Sequence, residues 1–188
     1  MLDEYAALFR RWSKRINLAS HHDIDQLENR HLKDCQQVTR LTNPPAKWVD
    51  IGSGGGLPGA VVAICLSKTP TQVILIESDQ RKSAFLKNVR RELGLPNMHI
   101  LTDRIETAKP QNAEIVSARA LAPLPKLLGY VHRHLADDGK ALLMKGANWQ
   151  AEVEEAQKMW HFTCQATAST TDPNAAILQI TDIRHVQS

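Results

Sequence analysis

Apolar positions recur along this chain with two different periods, and the period changes near residue 45. At the start, Leu2, Tyr5, Leu8, Phe9, Trp12 and Ile16 fall at helical spacing while Arg10, Arg11, Lys14 and Arg15 fill the opposite side. That pattern predicts an amphipathic helix with a basic face, either a core stripe with a solvated back or a surface for phosphates. Asn17 to His22 reads as a connection. Ile24, Leu27, His31, Asp34 or Cys35, and Val38 then predict a second helix that stops before Asn43-Pro44-Pro45. The prolines mark the boundary between a helical preface, residues 1–45, and a core over residues 46–188 of one domain.

From Lys47 onward, short β-rich apolar runs alternate with helical patterns. Strands are predicted near 47–52, 72–77, 98–102, 113–118 and 140–145, with helices near 58–68, 80–93, 123–135 and 149–159 between them. Leu93-Gly94 supplies a helix stop. Continuous apolar strands with helical crossovers imply a parallel sheet covered on both faces, whose ligand crevice lies at the carboxyl ends of the strands. The end of the chain obeys a different rule. Residues 161–169 and 175–184 both read as strands, joined by Thr170-Thr171-Asp172-Pro173-Asn174 with no room for a helix. The expected fold is therefore α/β: a seven-stranded, mostly parallel, Rossmann-like sheet with a C-terminal antiparallel hairpin and N-terminal helices.

Composition narrows this little. With 188 residues, 43% apolar and 23% charged, the chain has ordinary globular usage and enough length for one sizeable core. A net charge of +3 permits a polyanionic partner without requiring one. Cys35, Cys65 and Cys164 are odd in number and in no metal-like spacing, so neither a disulfide framework nor a metal site is expected, and a reducing cytoplasm is. The charged first residues lack a signal-peptide core, and no apolar run reaches the ~18 residues of a membrane span. No long apolar surface stripe suggests an obligate dimer, so a monomer is expected.

The chemistry centres on Trp48-Val49-Asp50-Ile51-Gly52-Ser53-Gly54-Gly55-Gly56-Leu57-Pro58-Gly59. An apolar run ending in an acid, then glycines, then Pro58 before a second apolar run predicts strand, tight loop and helix start. Such a loop lets a ligand lie against bare backbone whose N–H groups point at it. Glu77 follows the next apolar run, where nucleotide-binding sheets keep an acid for ribose hydroxyls; capping the helix near Gln80 is its other reading. A nicotinamide dinucleotide and S-adenosylmethionine both remain open from the loop alone. The terminal hairpin favours the second, since the sheet then resembles the S-adenosylmethionine-dependent methyltransferases.

A closer resemblance rests on ordered blocks: Trp12-Ser13 with Asn17-Leu18-Ala19-Ser20, Arg30-His31-Leu32-x-Asp34, the glycine loop, Arg81-Lys82-x-x-Phe85-Leu86, Arg104-Ile105-Glu106, Ala118-Arg119-Ala120 and Lys145-Gly146. In this order and over nearly the whole chain they resemble the RsmG (GidB) family of bacterial 16S ribosomal RNA guanine-N7 methyltransferases. The resemblance implies transfer of a methyl group from S-adenosylmethionine to N7 of a guanine in 16S rRNA, guanine 527 of the decoding-site loop, with the rRNA or the small subunit as partner. It also implies a cofactor site formed by Asp50, Gly52, Gly54, Gly56 and Leu57 of the loop, with Glu77, Ile105, Glu106 and Arg119. Arg30, His31, Arg81, Lys82 and Lys145 would hold RNA, and Arg119 and Lys145 would position the base. The family's usual first short helix has no counterpart here. Ala19 stands where Thr is common and Cys35 where a small hydroxyl residue is common, neither expected to touch the chemistry.

Guanine N7 carries an in-plane lone pair and no proton at neutral pH, so the reaction needs alignment more than a general base. No nucleophile and no Ser/His/Asp arrangement is therefore required. Bland readings stay open beside these: packing for His31, Trp149 and Trp160, an ordinary ion pair for Arg119, and solvation for Glu106 and for Lys87, Arg90 and Arg91. A methyltransferase of another RNA or of a small molecule, a nicotinamide oxidoreductase and a non-catalytic RNA-binding module are the alternative functions.

Overall fold

The computed structural model describes residues 1–20 and 24–186, apart from the side chain of Asn29, so the end of the predicted Asn17–His22 connection lies outside the described residues. Helix α1 (Leu2–Ser13) buries Tyr5, Ala6, Leu8 and Phe9. On its basic face Arg10 pairs with Glu28 at 2.5 Å, while Arg11, Lys14 and Arg15 line the outside. The second predicted helix forms in two styles: a π-helix over Leu27–Leu32 that runs into α2 (Lys33–Thr39). In the π turn the His31 N–H reaches back to the Gln26 carbonyl at 3.3 Å. Inward positions 24, 27 and 31 suit either winding over a single turn, so spacing could not separate them.

The core then alternates as expected through β1 (Lys47–Ile51), α3 (Gly59–Cys65), β2 (Gln72–Ile76), α4 (Gln80–Glu92), β3 (Met98–Leu101), β4 (Ala113–Arg119), α5 (Leu124–His134), β5 (Leu135–Lys145), α6 (Trp149–Gln157), β6 (Trp160–Ala168) and β7 (Ala176–His185). The sheet order is β3-β2-β1-β4-β5-β7-β6. Strands β1 to β5 pair in parallel; β7 lies antiparallel between β5 and β6. This is the mostly parallel sheet with a terminal hairpin that the sequence predicts. β5 starts at Leu135 rather than near residue 140, because Leu135 pairs with Ala113 before the register slips to Lys140 opposite Ile115. The slip absorbs Asp137-Asp138-Gly139, which in sequence resembles a turn.

Side chains alternate across β1. Trp48 joins the core built with Tyr5, Phe9, Val61 and Phe85, whereas Val49 and Ile51 join Leu124, Leu127 and Leu128 on the other face. The preface is part of the first core: the rings of Tyr5, Phe9 and Trp12 surround Phe85 with centroids 6.4, 5.9 and 5.7 Å away. β1 lies between β2 and β4, and the crossovers leave it in opposite directions. The ends of β1 and β4 thus open the crevice where such sheets bind ligands.

Asp50 is the buried polar group of this strand, 1% exposed. Its Oδ1 accepts from the Ser117 hydroxyl at 2.7 Å, its Oδ2 accepts from the Gly59 N–H at 3.2 Å, and the Trp48 indole N–H donates to Ser117 at 2.9 Å. The carboxyl therefore ties β1, β4 and the start of α3 together. Burial pushes its pKa up to about 6, against the hydrogen bonds that lower it. An unfolded aspartate titrates near 3.9, so between about pH 4 and 6 the folded chain holds more protons and its stability falls as pH rises. Wild type should thus gain stability relative to Asp50→Asn, by roughly 1.5–2 kcal/mol, as pH drops from about 6.5 to 4.5. Denaturant titrations of both proteins across that range measure it; a constant difference refutes it.

Candidate active site

After Ile51 the chain turns through Gly52–Pro58 into α3. Gly52 has φ +66°, and a Cβ there would stand 2.5 Å from Cδ1 of Leu121, so only glycine fits the turn. Gly55 is gripped from the preface: the Tyr5 hydroxyl donates to its carbonyl at 2.5 Å, and a Cβ would meet the Phe9 ring at 2.5 Å. From the sheet side, Glu77 at the end of β2 fixes the loop. Its Oε2 accepts from the Gly54 N–H and its Oε1 from the Asp79 N–H, both at 2.7 Å. The cap of α4 is Asp79, whose Oδ1 accepts from Arg81 and Lys82 N–H groups, which releases Glu77 from that alternative role.

These segments surround a cavity of about 560 Å³, ample for a nucleoside joined to an amino acid. Its walls come from the glycine loop, Ile76–Ser78, Arg104–Glu106 and Arg119–Ala122, and Phe9, Leu18, Leu27 and His31 close it from the preface. The Ile105–Glu106 wall is held from behind by α5. His134, fully buried, donates Nε2–H to the Ile105 carbonyl at 2.9 Å; Arg133 donates to the Ala108 carbonyl at 2.8 Å; and the Tyr130 hydroxyl donates to Oε1 of Glu106 at 2.9 Å. Burial lowers the His134 pKa, which favours the neutral ring, and the Ile105 carbonyl, able only to accept, fixes the Nε2–H tautomer. Backbone N–H donation and then the Tyr130 hydroxyl hold the Glu106 carboxyl below its usual range.

Arg119 crosses from this cavity to the next. Its Nη2 donates to Nδ1 of His31 at 2.5 Å, and its Nη1, buried, has no partner among the described residues. Cys35 also interacts with the guanidinium; burial pushes the thiol up to about 12, and Arg119 pulls it down only in part. A thiol is a weak acceptor, so the replacement at Cys35 leaves Arg119 with donor capacity in hand. Ala19 lines the cavity. Of the two departures from the family pattern, Ala19 thus lies on the cavity wall, while Cys35 lines neither cavity and meets the site only through Arg119.

Compared with known proteins, the chain matches the profile described as GidB, rRNA small subunit methyltransferase G, over residues 1–180. The chain belongs to the methyltransferase G family. Ribosomal RNA small subunit methyltransferase G of Paracoccus denitrificans (strain Pd 1222) is 51% identical over 185 residues, 98% of this chain and 95% of that protein. Its namesake from Ruegeria sp. (strain TM1040) is 46% identical over 97% of this chain and 89% of that protein. Among solved structures, a SAM-dependent methyltransferase from Aquifex aeolicus aligns with TM-score 0.62 at 13% identity, covering 93% of this chain and 97% of that one. A point mutant of MtNAS in complex with S-adenosylmethionine aligns with TM-score 0.64 at 16% identity, over 96% of this chain and 74% of that one. At those identities the likeness concerns the fold, which is that of class I S-adenosylmethionine-dependent methyltransferases.

In this member of the methyltransferase G family, Gly52, Gly54, Leu57, Glu77, Ile105, Glu106 and Arg119 come together on the large cavity, joined by His31 and Lys82. Asp50 and Gly56 do not reach it. Asp50 faces inward to Ser117 and Gly59, and Gly56 packs on Ala60, Leu86 and Tyr5. A second cavity of about 310 Å³ shares the Arg119–Ala120 wall and adds Arg30, Asp34, Lys145, Gly146, Glu152 and Ser169 among its lining. Lys145, expected to hold RNA and position the base, lines this cavity but is only 9% exposed: it pairs with Glu152 at 2.6 Å and donates to the Ala122 carbonyl at 3.0 Å. Arg81 lies on neither cavity, 74% exposed beside Asp79. Trp160 packs in the second core, with its indole N–H on the Pro125 carbonyl. The grip of Tyr5 and Phe9 on the loop, and of Arg133 and His134 on the Ile105 wall, is absent from the sequence reading. A core stripe and a basic helix end carry no mark of what they touch.

Proposed function

We propose that this methyltransferase transfers the methyl group of S-adenosylmethionine to N7 of a guanine in small-subunit ribosomal RNA, guanine 527 by family resemblance. The observation that carries this reading is the pair of cavities divided by Arg119 and Ala120. The larger suits the cofactor: bare glycine backbone on one wall, an acid already oriented by two backbone N–H groups on the next, and Arg119 on a third. Each Glu77 oxygen accepts one backbone donor and keeps capacity for a ribose hydroxyl. Ile105 gives adenine an apolar face, and the hold from His134 keeps that face still. S-adenosylmethionine supplies an electrophilic methyl group on its sulfonium when bound.

The smaller cavity suits the base. Both of its carboxylates are committed, Asp34 to the Ser169 hydroxyl and Glu152 to Lys145 and the Leu124 N–H. Neither is disposed as a general base, which suits a nitrogen that has no proton to lose. Arg119 supplies a donor at the boundary between the cavities, where the O6 edge of guanine, next to N7, can accept it. Lys145, held by Glu152, fixes the Ala122 end of that boundary.

We propose further that the chain acts as one unit and as a monomer in the cytoplasm. Supporting this, the preface shares the first core with the sheet, the exposed large apolar residues among those described are Met1 and Met159, and the three cysteines are thiols. Among the described residues, no helix is long and apolar enough to cross a membrane. Arg30 and Lys82, at the two cavity rims, are the phosphate contacts this reading favours. Mapping N7-methylguanine in small-subunit RNA from cells with and without the protein tests the assignment. One such base should disappear without it; retention of every one refutes the reading.

A further inference from the structure

The π-helix aims two consecutive residues at different places: His31 at Arg119, and Arg30 at the turn between β6 and β7. Nη2 of Arg30 lies 2.6 Å from Oδ2 of Asp172, although the two residues are separated by 142 positions. The rest of that turn is held independently. Ser169 donates its hydroxyl to Asp34 at 2.7 Å and accepts the N–H groups of Thr171 and Asp172 at 3.1 Å. Gln37 brackets the same segment, donating to the Ala168 carbonyl at 2.7 Å and accepting from the Thr170 N–H at 3.0 Å. The Arg30–Asp172 pair is the open link in this clasp, with side chains 39% and 25% exposed.

We propose that Arg30 is a phosphate subsite for the RNA strand whose base enters the second cavity, and that the Asp172 carboxylate occupies this subsite until RNA replaces it. The inference rests on the rRNA reading above. Arg30 lines that cavity, so a phosphate flanking an inserted base comes within reach of its guanidinium. This single-contact, partly exposed ion pair contributes modest net stability, whereas a guanidinium takes a phosphate through two parallel N–H bonds. The exchange therefore leaves the turn in place, because the bonds among Ser169, Asp34, Gln37 and the turn itself hold it without the Arg30 contact. Asp172 also stands as a negative charge that any bound strand must approach, which disfavours anions that cannot take over Arg30.

The test is equilibrium binding and single-turnover methylation with Asp172→Asn, using small-subunit RNA transcript and small subunits from cells lacking the enzyme. Asparagine keeps an oxygen for the Asn174 N–H that Oδ1 of Asp172 accepts at 3.0 Å; Asp172→Ser serves if that variant does not fold. RNA should bind roughly three- to tenfold more tightly, with S-adenosylmethionine affinity and the saturated rate unchanged. In an Arg30→Ala background the same substitution should add less than about twofold, because the subsite is gone. Unchanged or weaker RNA binding overturns the proposal, as does an equal gain in the Arg30→Ala background, which would mean general charge repulsion. If the wild type neither binds nor methylates the RNA, the reading beneath the proposal fails with it.

Discussion

Glu77→Ala should weaken S-adenosylmethionine binding by about two orders of magnitude or more while changing RNA affinity less than about threefold. The carboxylate accepts the N–H groups of Gly54 and Asp79 at 2.7 Å each, so its loss strands two backbone donors at the mouth of the cavity. A hydrogen bond to a charged group is worth about 1.5–3 kcal/mol, and each 1.4 kcal/mol is tenfold in affinity. Losing the proposed ribose contacts adds to this. Glu77→Gln should recover part of the affinity, since its amide oxygen can serve one of the two donors while its NH₂ opposes the other. Calorimetry with the cofactor, beside filter binding with small-subunit RNA, separates the effects. Equal losses for both ligands would show that Glu77 supports the fold and not the cofactor.

The second large effect is expected at Arg119. Arg119→Ala removes the donor between the cavities, breaks the 2.5 Å contact with His31 and leaves a hole beside Cys35. The methyl-transfer rate at saturating substrates should fall by about 100-fold or more, the scale on which misplacing reactants by an ångström acts. Arg119→Lys should rescue little, because one ammonium cannot serve His31 and a base at once as the planar fork does. Single-turnover kinetics with both ligands saturating isolate this step. A rate within a few-fold of wild type would remove Arg119 from substrate alignment and leave it as a packing group.

Much of this molecule is legible in its sequence. Strand segments such as Val73–Ile76 and Ala141–Met144 are continuous apolar runs, and a strand buried on both faces needs no other mark. The hairpin follows from lack of room for a crossover helix after residue 169. The glycine loop and Glu77 stand out because bare backbone and an acid at a strand end have few other uses. What sequence does not convey is pairing across distance. The ion pair of Lys145 is not legible because Glu152 is one of several acids on α6, and only the fold turns it toward Lys145. Asp50 reads as a loop acid facing the ligand. Strand alternation turns it inward to Ser117, which stands 67 residues further on. Arg30 and Asp172 meet only because β7 inserts between β5 and β6. The π winding of Leu27–Leu32 is invisible for a subtler reason, since one turn of apolar spacing fits two helical pitches.

That insertion also orders the birth of the molecule. β7 is the last of the seven strands to be made, yet it is an interior one, with β5 on one flank and β6 on the other. While it is still unmade, β6 has no partner and the edge of β5 stays open, so the nascent sheet waits, half assembled, for its keystone. Contacts that close so late and over such long separations are slow to form and leave unpaired edges exposed meanwhile. Loss of Ala176–His185 would therefore not trim the sheet at its margin but split it.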